Sequence, residues 1–160
     1  MRVSYKDILY VILYMGKLQV VSSAFLNGNF IPPKYGRLGG NVNPPLEIRN
    51  VPNGTKSLVL IVDDPDAPTG VFTHWVVWNI FPKGIISENN VPGIEGQNDF
   101  GQSKYDGPSP PSGTHHYFFR AFALREMLAL PKGSSRKELE EVMLGKVICE
   151  GELVGKYSKQ

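Results

Sequence analysis

The chain has 160 residues, 41% of them hydrophobic and 20% charged, with a net charge of +2. That length suffices for one domain whose core needs no disulfide or metal, and the composition excludes a disordered or membrane-embedded class. So small a charge, with no Lys/Arg run interleaved with aromatics, excludes a polyphosphate or nucleic-acid partner and makes any anion site local.

Residues 1–17 read as an N-terminal extension and 18–160 as a single domain. Arg2 and Lys6 precede the apolar run Ile8 to Met15, and Ser22-Ser23-Ala24 supplies small residues like those of a cleavage site, the outline of a secretory signal. Three features weigh against it: Asp7 abuts the run, Gly16-Lys17 interrupts it, and it is too short to span a bilayer. Cleavage after Ala24 would also remove Val20 to Phe25, which reads as a strand. In a further reading Met15 is the natural start and residues 1–14 precede it. The single Cys149 permits no intrachain bridge and reads as a small core residue, so a reducing compartment, the cytoplasm, is the expected location.

Gly and Pro then punctuate the chain about every ten residues, from Asn27-Gly28 through Pro44-Pro45 and Pro52-Asn53-Gly54 to Pro92-Gly93, the spacing of short strands joined by turns. Ser57 to Val62, Phe72 to Phe81 and Tyr117 to Leu124 are nearly continuous in Val, Ile, Phe, Trp and Tyr and read as buried central strands. Pro82 to Asp106 is polar and Gly-rich and reads as a long loop with short pieces of structure. A short helical turn is expected over Arg125 to Leu130, ended by Pro131. Ser135 with Glu138 three residues on forms a capping box, Leu139, Val142 and Met143 form an apolar stripe, and Gly145 is the stop, which predicts a helix. Val147 to Tyr157 alternates, with Cys149, Leu153 and Tyr157 on one face and Glu150, Glu152 and Lys156 on the other, as in a half-exposed strand. The sum is a mostly β domain, a sandwich or barrel, with a minor helical element near its C-terminus.

Two segments about forty positions apart hold all three histidines, three of the six aspartates and five of the thirteen prolines. In the first, Asp63, Asp64 and Asp66 leave the core at a strand end, with Asp64 and Asp66 facing one way and Asp63 the other. Pro65 and Pro68 stiffen this exit, Ala67-Pro68 is a candidate cis bond, and His74 opens the next strand between Phe72 and Trp75. A histidine held there by the Asp64 carboxylate would stay charged, or donate a directed N–H, near neutral pH. In the second, the loop Pro108 to Pro111 leads into His115-His116-Tyr117, and alternation turns one histidine inward and the other out. Histidine N–H groups, loop backbone N–H groups and a Tyr hydroxyl make a cradle for phosphate or carboxylate, without Lys or Arg.

Other readings compete. Each histidine taken alone reads as a hydrogen-bonded structural residue, and Asp63 and Asp66 as caps of a rigid turn. Asp64, Asp66, His74 and His115 are also an N/O donor set for a metal, although no ligand spacing supports it. Nucleophilic catalysis has no G-x-S-x-G elbow, and no Ser or Cys is locally tied to a His.

Asp64-Pro65-Asp66-Ala67-Pro68 with His74-Trp75, and Gly107-Pro108-Ser109-Pro110-Pro111 through His115-His116-Tyr117, resemble the phosphatidylethanolamine-binding protein family in its compact bacterial and archaeal, Raf-kinase-inhibitor-like branch. Asn43-Pro44-Pro45-Leu46, Gly54-Thr55-Lys56-Ser57, Asn98-Asp99-Phe100-Gly101 and Glu152-Leu153-Val154-Gly155 extend the match over roughly residues 18 to 158. The resemblance implies a Greek-key antiparallel β-sandwich, a large central sheet against a smaller one, and a small pocket for phosphate-like anions, including phospholipid head groups. The pocket would use Asp64, His74, His115 and Tyr117, walled by Phe72, Pro110 and Pro111, with Ser109 where longer relatives carry Gly, and Asp66 and Pro68 in support. His116 stands where the family usually has Arg, and the loop before His74 is shorter than in longer relatives.

The function expected is therefore non-enzymatic. A small anion or phospholipid head group would be the ligand and a kinase or protease the partner under regulation, with no cofactor and no metal. A homodimer is left open. The alternative is a hydrolase or lyase that uses Asp64 and His74 as an acid/base pair.

Overall fold

The computed structural model describes residues 2–7 and 16–160. The run Ile8 to Met15, with the signal and start-site readings that rest on it, lies outside the described residues. In chain order the domain consists of β1 (Gln19–Val21), a 3-10 turn (Pro33–Tyr35), β2 (Leu46–Arg49), β3 (Ser57–Asp64), β4 (Phe72–Ile80), β5 (Ile85–Ile86), β6 (Ile94–Glu95), β7 (Thr114–Leu124), α1 (Arg136–Met143) and β8 (Val147–Ser158). Two antiparallel sheets result, a small one in the order β1-β2-β5 and a large one in the order β6-β4-β3-β7-β8. The chain returns past β4 and β6 to lay β7 beside β3, the long connection of a Greek key.

The unbroken apolarity of β3 follows from burial on both faces. Leu58, Leu60 and Val62 pack against Val20, Leu46, Ile48 and Ile86 of the small sheet. Val59 and Ile61 on the other face pack with Leu139 and Met143 of α1. β8 is the edge strand and alternates as expected, with Leu153 and Tyr157 buried and Glu150 and Glu152 exposed. Cys149 is half-buried against the core.

The predicted capping box is present, with the Ser135 hydroxyl accepting the Glu138 N–H at 3.1 Å and Glu138 Oε2 accepting the Ser135 N–H at 2.7 Å. The helical turn predicted over Arg125 to Leu130 does not form. Side chains of β3 and β4 capture its backbone instead: Ser57 donates to the Glu126 carbonyl, Asn79 bonds both the N–H and the C=O of Leu128, and the Trp78 indole donates to Leu130. A helix would have needed those same groups. The first strand is shorter than Val20 to Phe25, because the Ser22 hydroxyl bonds the Pro45 carbonyl and the Ala24 N–H and bends the chain away. No peptide bond among the described residues is cis, so Ala67-Pro68 is trans.

Candidate functional site

Three strand ends meet at one end of the large sheet. Asp64 closes β3, Phe72 pairs with it at the start of β4, and His115 and Tyr117 lie near the start of β7. The β3–β4 register runs from Val62–Trp75 directly to Asp63–Thr73, which leaves His74 as the extra residue of a bulge. Such an insertion re-aims a side chain, and here it turns His74 toward Tyr117, with ring centroids 5.2 Å apart. On the β7 side, Gly113 adopts φ +63° at the turn into the strand, a conformation that costs glycine little.

Asp64 is the anchor of the site. Its Oδ2 accepts from His115 Nδ1 at 2.6 Å and its Oδ1 accepts the Asp66 N–H at 2.8 Å. Because the carboxylate accepts, Nδ1 is the donor nitrogen of His115, and Nε2 is left for a ligand. Tyr117 is wholly buried, and its hydroxyl makes no hydrogen bond of acceptable length and angle among the described residues, although the Asp64 carboxylate and the Ser109 main chain lie beside it. Burial first, and the negative charge of Asp64 second, push its pKa well above the ordinary value, so it keeps its proton. An unpaired buried hydroxyl costs on the order of 1–3 kcal/mol, which a ligand acceptor would return.

His74 does not bond Asp64, contrary to expectation. Its Nδ1 donates to the main-chain carbonyl of Asp106 at 2.9 Å. Burial lowers its pKa below the usual 6.5, outweighing the Asp106 carbonyl and the charges of Asp64 and Asp106. The ring is therefore neutral at pH 7, with a lone pair on Nε2. Phe72 and Phe100 wall it, at centroid distances of 5.1 and 5.6 Å.

The loop that holds His74 is itself locked. Asp106 is buried, and its carboxylate accepts from Asn41 at 3.1 Å and from Asn98 at 2.9 Å, with Lys104 and Arg37 at 3.5 and 3.6 Å. Burial alone would raise its pKa, but the bonds from Asn41 and Asn98 and the Lys104 ammonium outweigh that and hold it below the usual range. Asn41 also accepts the Gly107 N–H at 2.8 Å. Gly107 presses so closely on the Tyr35 carbonyl that no side chain fits there.

Of the ten residues predicted for the site, Asp64, Phe72, His74, His115 and Tyr117 converge. Ser109 is half-buried and Pro110 buried, and both line a small cavity of about 70 Å³ with Leu38, Tyr157 and Lys159. Pro111 and Pro68 are exposed. Asp66 is exposed as well and acts as a clip, its Oδ2 accepting both the backbone N–H and Nδ1 of His116, at 2.8 and 2.7 Å. Among the described residues no cluster of three or more His, Cys, Asp or Glu side chains is placed to hold a metal.

The sequence reading missed Asp106, Asn98, Phe100 and Arg37. Asn98-Asp99-Phe100-Gly101 was visible as a motif, but nothing in it predicts the closure onto Asn41. The cradle was also read as free of Arg, whereas the Arg37 guanidinium sits 4.1 Å above the Phe100 ring at its rim. Asp63 faces α1, as alternation predicts, but it caps no turn: Arg120 Nε and Arg136 Nη1 approach its Oδ2 at 3.0 and 2.9 Å. Two wider grooves, of about 410 and 420 Å³, run along that opposite face beside Arg120, Phe122 and Met143, away from the histidines.

Known proteins resemble this chain in sequence and in fold. Residues 21–158 match the family model described as phosphatidylethanolamine-binding protein. UPF0098 protein PH1269 of Pyrococcus horikoshii is 51% identical over 151 residues, covering 88% of this chain and 76% of the relative. A UPF0098 protein of Aquifex aeolicus is 46% identical, covering 89% of each. Among solved structures, the phosphatidylethanolamine-binding protein homolog CT736 of Chlamydia trachomatis superposes with a TM-score of 0.87 at 38% identity, covering 91% of this chain and 99% of that one. YbcL of E. coli gives 0.82 at 28% identity, covering 89% and 99%. This chain belongs to the phosphatidylethanolamine-binding protein family.

Proposed function

We propose that this protein is a non-enzymatic binder of a phosphate-like anion, such as a phospholipid head group, and that it regulates or inhibits a kinase or protease in the cytoplasm. The observation that carries the anion reading is the buried, partnerless Tyr117 hydroxyl beside the Asp64-anchored His115. It is a donor fixed in place before any ligand arrives, which lowers the ordering cost of binding. The prolines of the loop and the Asn41–Asp106–Asn98 lock add to that rigidity. With Nε2 of the neutral His74 unprotonated, a ligand oxygen that meets it either brings a proton or the pocket takes one up on binding.

The acid/base alternative pairs Asp64 with His74, yet both Asp64 oxygens are engaged by His115 and the Asp66 N–H. Among the described residues no hydrogen bond joins the Ser109 hydroxyl to His115, whose Nδ1 is engaged by Asp64, and this supports the binding reading over the nucleophilic one. Co-crystallisation with phosphate should place the anion against Tyr117, His115 and His74. A broad panel of ester and phosphoester substrates should give no turnover; turnover lost in His74→Ala would replace this reading with the enzymatic one.

A further inference from the structure

A further cleft lies across Asp106 from His74, between the 41–43 loop, Trp75 and residues 89–105. It has a volume of about 170 Å³, and its walls include Glu95, Trp75, Tyr105, Asn41, Asn90 and Lys104. Glu95 ends β6, pairs in register with Val77 and is 7% exposed. Its Oε2 accepts the Trp75 indole N–H at 2.8 Å, and among the described residues no lysine, arginine or histidine pairs with the carboxylate. The one ammonium in the cleft, Lys104, is directed to Asp106 at 3.5 Å. The carboxylate is thus held by one neutral donor and neutralised by no cation of the fold, and it lines the cleft, where a cation from outside can reach it.

Both rims are tied down. Asn43 is buried and accepts the Asn90 N–H on its side-chain oxygen at 2.9 Å, and its own amide donates to the Ser87 carbonyl at 3.0 Å, which fixes the 87–91 rim. The opposite rim is held by the Asn41–Asp106 bond, and the floor by the edge-on Trp75–Tyr105 contact at 5.4 Å. The cleft is preformed, negative at its base and aromatic on one side, and its volume suits a ligand of a few heavy atoms.

We propose that this cleft binds the primary ammonium group of a small amine, with Glu95 as the counter-ion and the Trp75 and Tyr105 rings as its apolar wall. The proposal stands apart from the anion pocket and does not depend on it.

Ethylammonium titrated into the whole protein, with the two tryptophan indole N–H signals followed by NMR, tests this directly. The Trp75 signal should shift saturably and the Trp78 signal, whose indole donates to Leu130 on the other face, should not. Ethanol, the neutral isostere, should produce no saturable shift. Glu95→Gln keeps an oxygen for the indole and should weaken ethylammonium at least tenfold while leaving phosphate binding unchanged. Lys104→Gln removes the competing cation and should tighten it by roughly threefold. Equal affinity in Glu95→Gln, equal response to ethanol, or no saturable response in wild type would each overturn the proposal. If Glu95→Gln does not fold, the ethanol comparison and Lys104→Gln decide, and unchanged or weaker binding in Lys104→Gln counts against it.

Discussion

Asp63 and Asp64 adjoin at the end of β3, yet Asp63 faces α1 within reach of two guanidiniums, while Asp64 faces the Pro-rich loop and holds one imidazole. On the Asp63 side the cluster is closed: Arg120 also bonds Glu152 at 2.9 Å, and Arg136 also bonds Glu140 at 2.7 Å. Burial would lower the Arg136 pKa, but Glu140 and Asp63 outweigh it and hold it above the ordinary value. On the Asp64 side, valences are left over: a Tyr117 hydroxyl with no partner and an Nε2 on each of His74 and His115. A closed network fastens helix to sheet, whereas an open one is poised for a ligand. One strand provides both because successive residues point to opposite faces.

The strongest way to break this contrast is Asp63→Ala. Removing the buried carboxylate takes from Arg120 and Arg136 the partner they share, while Glu152 and Glu140 still hold them, and costs about 1–3 kcal/mol, a fall in Tm of roughly 3–8 °C for a domain of this size. Thermal denaturation should register that loss, with phosphate affinity at 25 °C held within about twofold. A variant that kept its Tm but lost phosphate would invert the two roles.

Next in size is the effect of pH on the open side. The folded pKa of His74 lies below its unfolded value of about 6.5. As pH falls below 6.5 the unfolded chain takes up a proton that the folded ring resists, so the fold loses stability until the folded pKa is reached. Bound anion favours the protonated ring, so sulfate, whose charge is constant here, should bind more tightly as pH falls. The gain is at most about tenfold per pH unit for one proton. Calorimetry between about pH 5 and pH 8 checks this, and a flat profile would remove His74 from the cradle.

Tyr117→Phe should do two things that a structural tyrosine would not. Deleting a buried hydroxyl without a partner leaves stability unchanged or raises it by about 1 kcal/mol, and it weakens phosphate severalfold. A loss of stability without a loss of affinity would mean that the hydroxyl has a partner in the fold. Smallest of all is His116→Arg, which swaps the exposed clip on Asp66 for the residue usual in the family. An exposed pair contributes about 0–1 kcal/mol, so Tm and phosphate affinity should both stay within error.

Local rules made much of this readable in advance. The alternation that separates Asp63 from Asp64 and His115 from His116 is a period-two property, and the Ser135–Glu138 box is a three-residue one. Asp106 was invisible because its role exists only once Asn41, 65 positions away, folds onto it beside the nearby Asn98 and Lys104. His74 was given the wrong partner because a single bulged residue decides which group it meets. Arg125 to Leu130 was read as helical from its own residues, but Ser57, Asn79 and Trp78 took its backbone. Sequence singled out the residues that meet at this end of the sheet, and tertiary closure assigned their hydrogen bonds.

The central claim, a preformed anion cradle on the Asp64 side of β3, is tested most directly by titrating inorganic phosphate into wild type and His115→Ala by calorimetry. Wild type should show saturable one-site binding and the variant a loss of about tenfold or more, the scale of one hydrogen bond to a charged group, together with a fall in Tm of several degrees because the buried Asp64 carboxylate loses its donor. Equal affinity in the two proteins, or no binding in wild type, would contradict it.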